Sequence, residues 1–208
     1  DVHASQKAWK EAIAAYRAAL KVAPDSTDSA IKLYTALGVS GATADAEKFS
    51  AQWTKDHPKD VNFRRYLADV SLARRDFAGA LAQYRTILAI EPNNAMVLNN
   101  AAWTAGQMKD PKALEYAEQA HKLVPNNPNI MDTLGNILVD KGETARGLEL
   151  IKKAVDSAPN AAGIRMNYAR ALIKAGQKDA AKKELETLQK LGDKFAGQAE
   201  VTKLMQGL

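Results

Sequence analysis

The chain has 208 residues, 46% hydrophobic and 25% charged, with 29 Lys and Arg against 24 Asp and Glu, for a net charge of +5. This is the composition of an ordinary folded chain rather than a disordered one, and no stretch approaches the ~18 uninterrupted apolar residues of a membrane span. Cysteine is absent, which excludes disulfides, thiolate metal sites and a cysteine nucleophile.

The chain opens at Asp1 without methionine or a signal peptide, and the expectation is a piece of a longer protein. The first predicted helix, residues 6–22, carries Trp9, Ile13, Tyr16 and Leu20 on one face. That face is expected to pack on a preceding helix outside this sequence, which offers a route to self-association. Pro24 then stops the helix, and Pro58, Pro92, Pro125 and Pro159 follow at intervals of 34, 34, 33 and 34 residues. Proline lacks the N–H and its ring clashes with the preceding turn, so the same break recurs at a fixed period. Most of these prolines precede Asn or Asp: Pro24-Asp25, Pro92-Asn93-Asn94, Pro125-Asn126-Asn127 and Pro159-Asn160.

Aligned on the prolines, helices are predicted in pairs: 27–39 with 43–56, 61–74 with 77–90, 95–108 with 111–124, 129–141 with 144–157, and 162–175 with 178–191. A last helix at 196–206, with Ala199, Val201, Leu204 and Met205, is read as a cap. A helix of ~13 residues is only ~20 Å long and marginal alone, so stacking must stabilise it. The units are therefore 1–26 (a truncated half-repeat), 27–60, 61–94, 95–127, 128–161, 162–192 and a cap at 193–208, in one continuous array.

Each first helix has a pair of positions for a large and a small residue: Leu67-Ala68, Ala101-Ala102, Leu134-Gly135 and Tyr168-Ala169. Small residues there permit close helix approach. Gly41, Gly142 and Gly176 supply the turns, where the left-handed region is needed. The second helices pair a small residue with one four positions on, Ala12 with Tyr16, Ala80 with Tyr84, Ala113 with Ala117 and Ala181 with Leu185, on one face. Two units depart from this pattern. The first full one has Tyr34, Leu37 and Trp53 at unusual positions. The third loses a residue at Lys109-Asp110-Pro111-Lys112, which is expected to alter the local superhelical angle.

The run Asp76-Phe-Ala-Gly-Ala80-Leu-Ala-Gln-Tyr84 to Ile90-Glu91-Pro92, and its partner Trp9-Lys-Glu-Ala12-Ile-Ala-Ala-Tyr16, resemble the motif of tetratricopeptide repeat proteins, as does nearly the whole chain. The resemblance implies an all-α, right-handed solenoid of helix-turn-helix repeats, without enzymatic activity or cofactor. It also implies that first helices line a concave groove. The corresponding residues here are Arg65, Tyr66 and Asp69; Asn99, Asn100 and Trp103; Asn129, Asp132, Thr133 and Asn136; and Asn167 and Arg170. Such an asparagine-rich surface both donates and accepts hydrogen bonds and suits an extended peptide, with Trp103, Tyr66 and Arg170 as anchors. Capping or bridging of neighbouring repeats is the other reading of Asn100 and Asn136. The lysine–asparagine dicarboxylate clamp of chaperone-binding relatives is absent, since Arg65 with Asp69 and Asn99 with Trp103 hold those positions.

Catalytic and metal chemistry finds no support. His3, His57 and His121 lie in different repeats without ligand-spaced neighbours. The segment Gly38-Val-Ser-Gly41 follows a helix and lacks a phosphate-binding lysine. Glu184 and Glu186 point to different helix faces. No serine has a plausible histidine base, and aromatics at 6% without basic interleaving disfavour nucleic acid. Residues 165–208 carry nine Lys and Arg against five Asp and Glu. This basic end suits an acidic partner or anionic surface, or is the solvated face of terminal helices.

A narrower resemblance rests on Pro92-Asn-Asn-Ala-Met-Val-Leu-Asn-Asn-Ala-Ala-Trp103, Asp110-Pro-Lys-Ala-Leu-Glu-Tyr-Ala-Glu-Gln-Ala, Met131-Asp-Thr-Leu-Gly, Lys141-Gly-Glu-Thr-Ala-Arg-Gly-Leu-Glu-Leu150 and Leu191-Gly-Asp-Lys-Phe195. These look like the C-terminal part of the repeat lipoproteins of bacterial exosortase/PEP-CTERM systems. That resemblance implies a cell-envelope location and a link to protein sorting and exopolysaccharide production. The expected function is a protein-interaction scaffold that holds a partner's peptide or helix; the alternative is a structural self-assembly module of a longer solenoid.

Overall fold

The computed structural model describes residues 2–208, with side chains from Gln6 onward. Among the described residues the regular structure is entirely helical. The helices are α1 (Val2–Val22), α2 (Thr27–Val39), α3 (Thr43–Asp56), α4 (Val61–Ala73), α5 (Phe77–Ile90), α6 (Ala95–Gln107), α7 (Ala113–Leu123), α8 (Pro128–Asp140), α9 (Thr144–Ser157), α10 (Ala162–Lys174), α11 (Lys178–Gln189) and α12 (Gln198–Gln206), with a 3₁₀ turn at Gly192–Lys194. The all-α class and the helix pairs expected from the sequence are both present. Chain contacts divide the molecule into two compact units, Asp1–Ile90 and Glu91–Leu208.

The proline punctuation has a second component. The residue two positions after the proline caps the next helix. Ser26 accepts from the Ser29 amide at 3.2 Å, Asp60 from Phe63 at 3.0 Å, Asn94 from Val97 at 3.1 Å, and Asn127 from Asn129 at 3.0 Å and Ile130 at 3.3 Å. Each satisfies amides that have no partner within the helix. Only the fifth copy, Ala161, lacks a side-chain cap.

The hairpin turns repeat just as closely. Residues 41, 75, 109, 142 and 176 all have positive φ: Gly41 84°, Arg75 60°, Lys109 55°, Gly142 90° and Gly176 75°. The next residue's amide then donates to the carbonyl five positions before it, as in Ala42 to Leu37 and Glu143 to Leu138, both at 2.9 Å. This closure ends a helix through a left-handed residue, and at two turns a side-chain-bearing residue takes the place of glycine. After Lys109 the next helix starts at Ala113, two residues later than expected. The Lys112 amide is taken by Asp110 Oδ1 at 2.9 Å, and that local turn through Pro111 holds the chain out of the helix.

In the first unit α2 packs on α1, α3 and α4, and α4 packs on α5. The residues that broke the repeat pattern fill its core. Tyr34, Trp53 and Phe63 are buried with Leu33 and Leu37, and Phe49 and Tyr66 pack beside them. Tyr34 meets Phe63 edge-on at 6.2 Å and Tyr66 at 6.0 Å, a geometry favoured by the ring quadrupoles. Trp53 donates its indole N–H to Asp60 Oδ2 at 2.9 Å, and Thr27 donates to the same oxygen at 2.8 Å. One carboxylate thus caps α4, satisfies a buried indole and ties α2 to α4. His57 stacks on Trp53 at 3.9 Å and meets Asp25 at 3.1 Å. Ile13, Tyr16 and Leu20 of α1 lie against this same core, covered by α2. The expectation that this face awaits a preceding helix is corrected for these three residues: one stripe of α1 finds its partner in the helix that follows it.

In the second unit α6 packs on α7 and α8, α8 on α9 and α10, and α11 on α10 and α12. Helices α8 and α9 approach closely at two glycines. A Cβ added at Gly135 would lie 2.5 Å from Ile151 Cγ1 and 2.8 Å from the Gly147 carbonyl. One at Gly147 would lie 2.5 Å from the Gly135 carbonyl. Val201 of α12 is fully buried against Met166, Ala169, Leu185 and Leu188, so α12 covers the open end of the α10–α11 pair.

Candidate functional site

In the second unit the first helices α6, α8 and α10 bring side chains to a common surface. A pocket of about 330 Å³ opens there, lined by Trp103, Gly106 and Gln107 of α6, Asp132, Thr133, Asn136, Ile137 and Asp140 of α8, and Asn167 and Arg170 of α10. The repeat period builds this arrangement: Asn136 and Arg170 hold equivalent positions, as do Asp140 and Lys174, in consecutive repeats.

Asp132 lies at the floor, only 9% exposed. Its Oδ1 accepts from Asn136 Nδ2 at 2.8 Å, one helical turn away, and its Oδ2 accepts from Asn167 Nδ2 at 2.7 Å. Arg170 donates Nη1 to Asn167 Oδ1 at 2.9 Å and pairs with Glu200 of α12 through Nε at 2.8 Å and Nη2 at 2.6 Å. The chain of contacts runs Asn136, Asp132, Asn167, Arg170, Glu200 and crosses three helices. Burial pushes the Asp132 carboxyl up to about 6; the bonds from Asn167 and Asn136 and the charge of Arg170 oppose that rise without cancelling it. Asn167, itself held by Arg170, thus binds a carboxylate where water is scarce. Trp103 is 44% exposed at the pocket's edge.

A second, larger pocket of about 570 Å³ adjoins the first and shares Gly106, Gln107, Ile137 and Asp140 with it. Lys109, Lys141 and Lys174 also line it. Lys174 pairs with Asp140 at 2.5 Å. In the first unit a pocket of about 310 Å³ is lined by Arg17, Leu33, Leu37, Asp45, Lys48, Phe49 and Gln52, none of them a predicted groove residue.

Of the predicted groove residues, Trp103, Asp132, Thr133, Asn136, Asn167 and Arg170 line one pocket. The others are placed differently. Asn99 is 8% exposed and its Oδ1 is buried without a hydrogen-bond partner, so it presents no surface to a ligand. Asn100 is half-buried outside the pocket lining, and its carbonyl accepts from Thr104 at 2.7 Å. Asn129 is exposed in the first turn of α8, where the cap Asn127 holds its amide. Arg65 and Asp69 are exposed in the first unit; Arg65 bonds Asn62 at 2.9 Å, and partial burial raises the Asp69 carboxyl while Arg65 opposes it. Tyr66 is a core contact instead of a free anchor. Thr35 spends its proton on the Ile31 carbonyl at 2.7 Å, so the Tyr66 hydroxyl donates to Thr35, also at 2.7 Å.

The sequence reading missed Gln107, Asp140, Lys174 and Glu200. Opposite charges one period apart, such as Asp140 and Lys174, were the available signal. Glu200 had none, because the capping helix lies outside the repeat register. Among the described residues no helix is long and apolar enough to cross a membrane, and no group of three or more His, Cys, Asp or Glu is placed to hold a metal ion. The side chain of His3 lies outside the described residues. His57 is engaged by Asp25 and Trp53, and His121 is half-buried with its pKa lowered, first by burial and then by Arg146 and Lys153.

The comparisons agree with this architecture. Two tetratricopeptide repeat family profiles match residues 28–95 and 138–206. The TPR repeat-containing protein PA4667 of Pseudomonas aeruginosa is 29% identical over 146 residues, which cover 67% of this chain and 25% of that protein. The chain thus spans about a quarter of the length of this curated relative. Among solved structures, PilF of Pseudomonas aeruginosa matches with a TM-score of 0.65 at 16% identity, covering 97% of this chain and 92% of that one. YrrB, described as a TPR protein with an unusual peptide-binding site, matches with a TM-score of 0.62 at 15% identity, covering 91% and 98%. With its proline-spaced helix pairs, recurrent turn closure and first-helix stacking, the chain belongs to the tetratricopeptide repeat proteins.

Proposed function

We propose that this chain is a non-enzymatic protein-interaction scaffold and that the α6–α8–α10 surface holds a peptide or helix of a protein partner. The observation that carries this reading is the pocket of about 330 Å³ in which Trp103, Asn136, Asn167 and Arg170 meet around the buried Asp132. Its polar side chains are already fixed by one another, so little conformational entropy is lost on binding. An exposed aromatic beside fixed polar groups is the composition of an interface anchor. The tetratricopeptide fold is a typical protein-binding scaffold, and the peptide-binding description of YrrB fits the same use of the fold.

The envelope setting rests on the motif string from Pro92 to Phe195 that resembles the exosortase-linked repeat lipoproteins. The test is recovery of a bacterial envelope partner by the chain and by its Trp103→Ala and Asn136→Ala variants, with helicity checked by circular dichroism. The expected result is recovery by the parent and its loss in both folded variants. Unchanged recovery would remove the partner from this surface.

A further inference from the structure

We propose, on the basis of the partner-site reading above, that the α6–α8–α10 pocket takes a basic side chain, lysine or arginine, of the partner segment. The donors of the pocket are mostly turned into the protein. Asn136 and Asn167 spend amide hydrogens on Asp132. Thr133 gives its hydroxyl proton to the Asn129 carbonyl at 2.9 Å. Arg170 directs Nε, Nη1 and Nη2 to Glu200 and Asn167.

On the α8 wall only acceptors are left, while the Gln107 amide on the rim still donates. Asn136 donates through its nitrogen, so its Oδ1 is available, as are the second oxygen of Asp140, the lone pairs of the Thr133 hydroxyl and those of Asp132. A ligand that satisfies these groups must donate. Charge points the same way. Asp132 and Asp140 line the pocket with Arg170. With the ion-pair partners Glu200 and Lys174 included, three carboxylates face two cations. Trp103, 44% exposed at the edge, supplies an aromatic face of the kind that attracts ammonium and guanidinium groups. This preference is the reverse of a clamp for carboxylates.

The experiment uses the whole chain labelled with ¹⁵N. The probes are three blocked peptides, acetyl-Gly-Ala-X-Ala-Gly-amide, with X as lysine, glutamine or glutamate. Side-chain amide resonances of Asn136 and Asn167 and the Trp103 indole report binding; the buried Trp53 indole is the internal control. The lysine peptide is expected to shift the pocket resonances and to bind on the order of five-fold tighter than the glutamine peptide. Gln107, exposed on the rim, tests the charge without disturbing the network. Gln107→Glu should tighten the lysine peptide roughly three-fold, and Gln107→Lys should weaken it by a similar factor, the effect of one partly screened charge. Equal binding of lysine and glutamine peptides, or preference for glutamate, would overturn the basic-side-chain inference and leave the peptide site standing. Absence of any pocket shift with all three at millimolar concentration would overturn the inference and count against the partner-site reading as well.

Discussion

Replacing Asp132 with asparagine removes a titrating group whose burial the fold must tolerate. Its carboxyl moves from an ordinary value of 3.8 to about 6. That difference corresponds to about 3 kcal/mol between the two protonation states. Below about pH 4 native and unfolded chains both hold the proton, and the group contributes nothing. Between about pH 4 and 6 the unfolded chain has released it while the native chain keeps it, so stability falls as pH rises. Above about pH 6 the full penalty of the ionised, buried carboxylate is in place. The substitution also turns one donor of the new side-chain amide toward a donor of Asn136 or Asn167, at a cost of about 1–3 kcal/mol that does not depend on pH. The difference in unfolding free energy, parent minus Asp132→Asn, should therefore drop by about 3 kcal/mol from pH 3 to pH 7. Urea unfolding followed by circular dichroism at several pH values measures it, and the carboxyl ¹³C shift of Asp132 gives the midpoint directly. A flat difference, or a midpoint below about 4.5, would mean that burial at Asp132 carries no such penalty.

Two further substitutions probe the framework that holds the site. Gly135→Ala should destabilise by about 1–3 kcal/mol, because the new methyl meets Ile151 and the Gly147 backbone at 2.5 and 2.8 Å. Gly38→Ala, with nothing within 4 Å of its Cβ, should stabilise α2 by about 0.5–1 kcal/mol; thermal melts that rank the two variants the other way would contradict the packing account. Asp60→Ala removes the α4 cap and leaves the Trp53 indole without its acceptor, for a loss of about 2–4 kcal/mol. Asp60→Asn should recover part of it, and an alanine variant as stable as the parent would show that this carboxylate does not tie the first unit together.

The helix pairs were legible because the chain writes their ends locally: proline with a capping Ser, Asp or Asn before four of the five first helices, and a left-handed residue before each second one. Even so, the sequence revealed only the turn glycines; Arg75 and Lys109 hold the same backbone shape without announcing it. The pocket was legible in the second unit because register alone aligns Asn136 with Arg170 along the stack. It failed where neighbours decide. Tyr66 has a groove position by register, but its edge-on contact with Tyr34 draws its ring against an aromatic core. Asn99 has one too, yet it sits among the buried Leu98, Ala101 and Ala102 of α6. Glu200 could not be anticipated, since the capping helix follows no repeat and only its packing through Val201 brings the carboxylate to Arg170.

A protein partner on the first-helix surface of the second unit can be located by crosslinking. A photo-crosslinking amino acid is placed at Gln107, on the pocket rim, and separately at Lys153, exposed on α9, and the chain is irradiated with the partner that the parent recovers. The expected result is an adduct from position 107, suppressed by Trp103→Ala, and none from position 153. An adduct from position 153 with none from position 107 would contradict it.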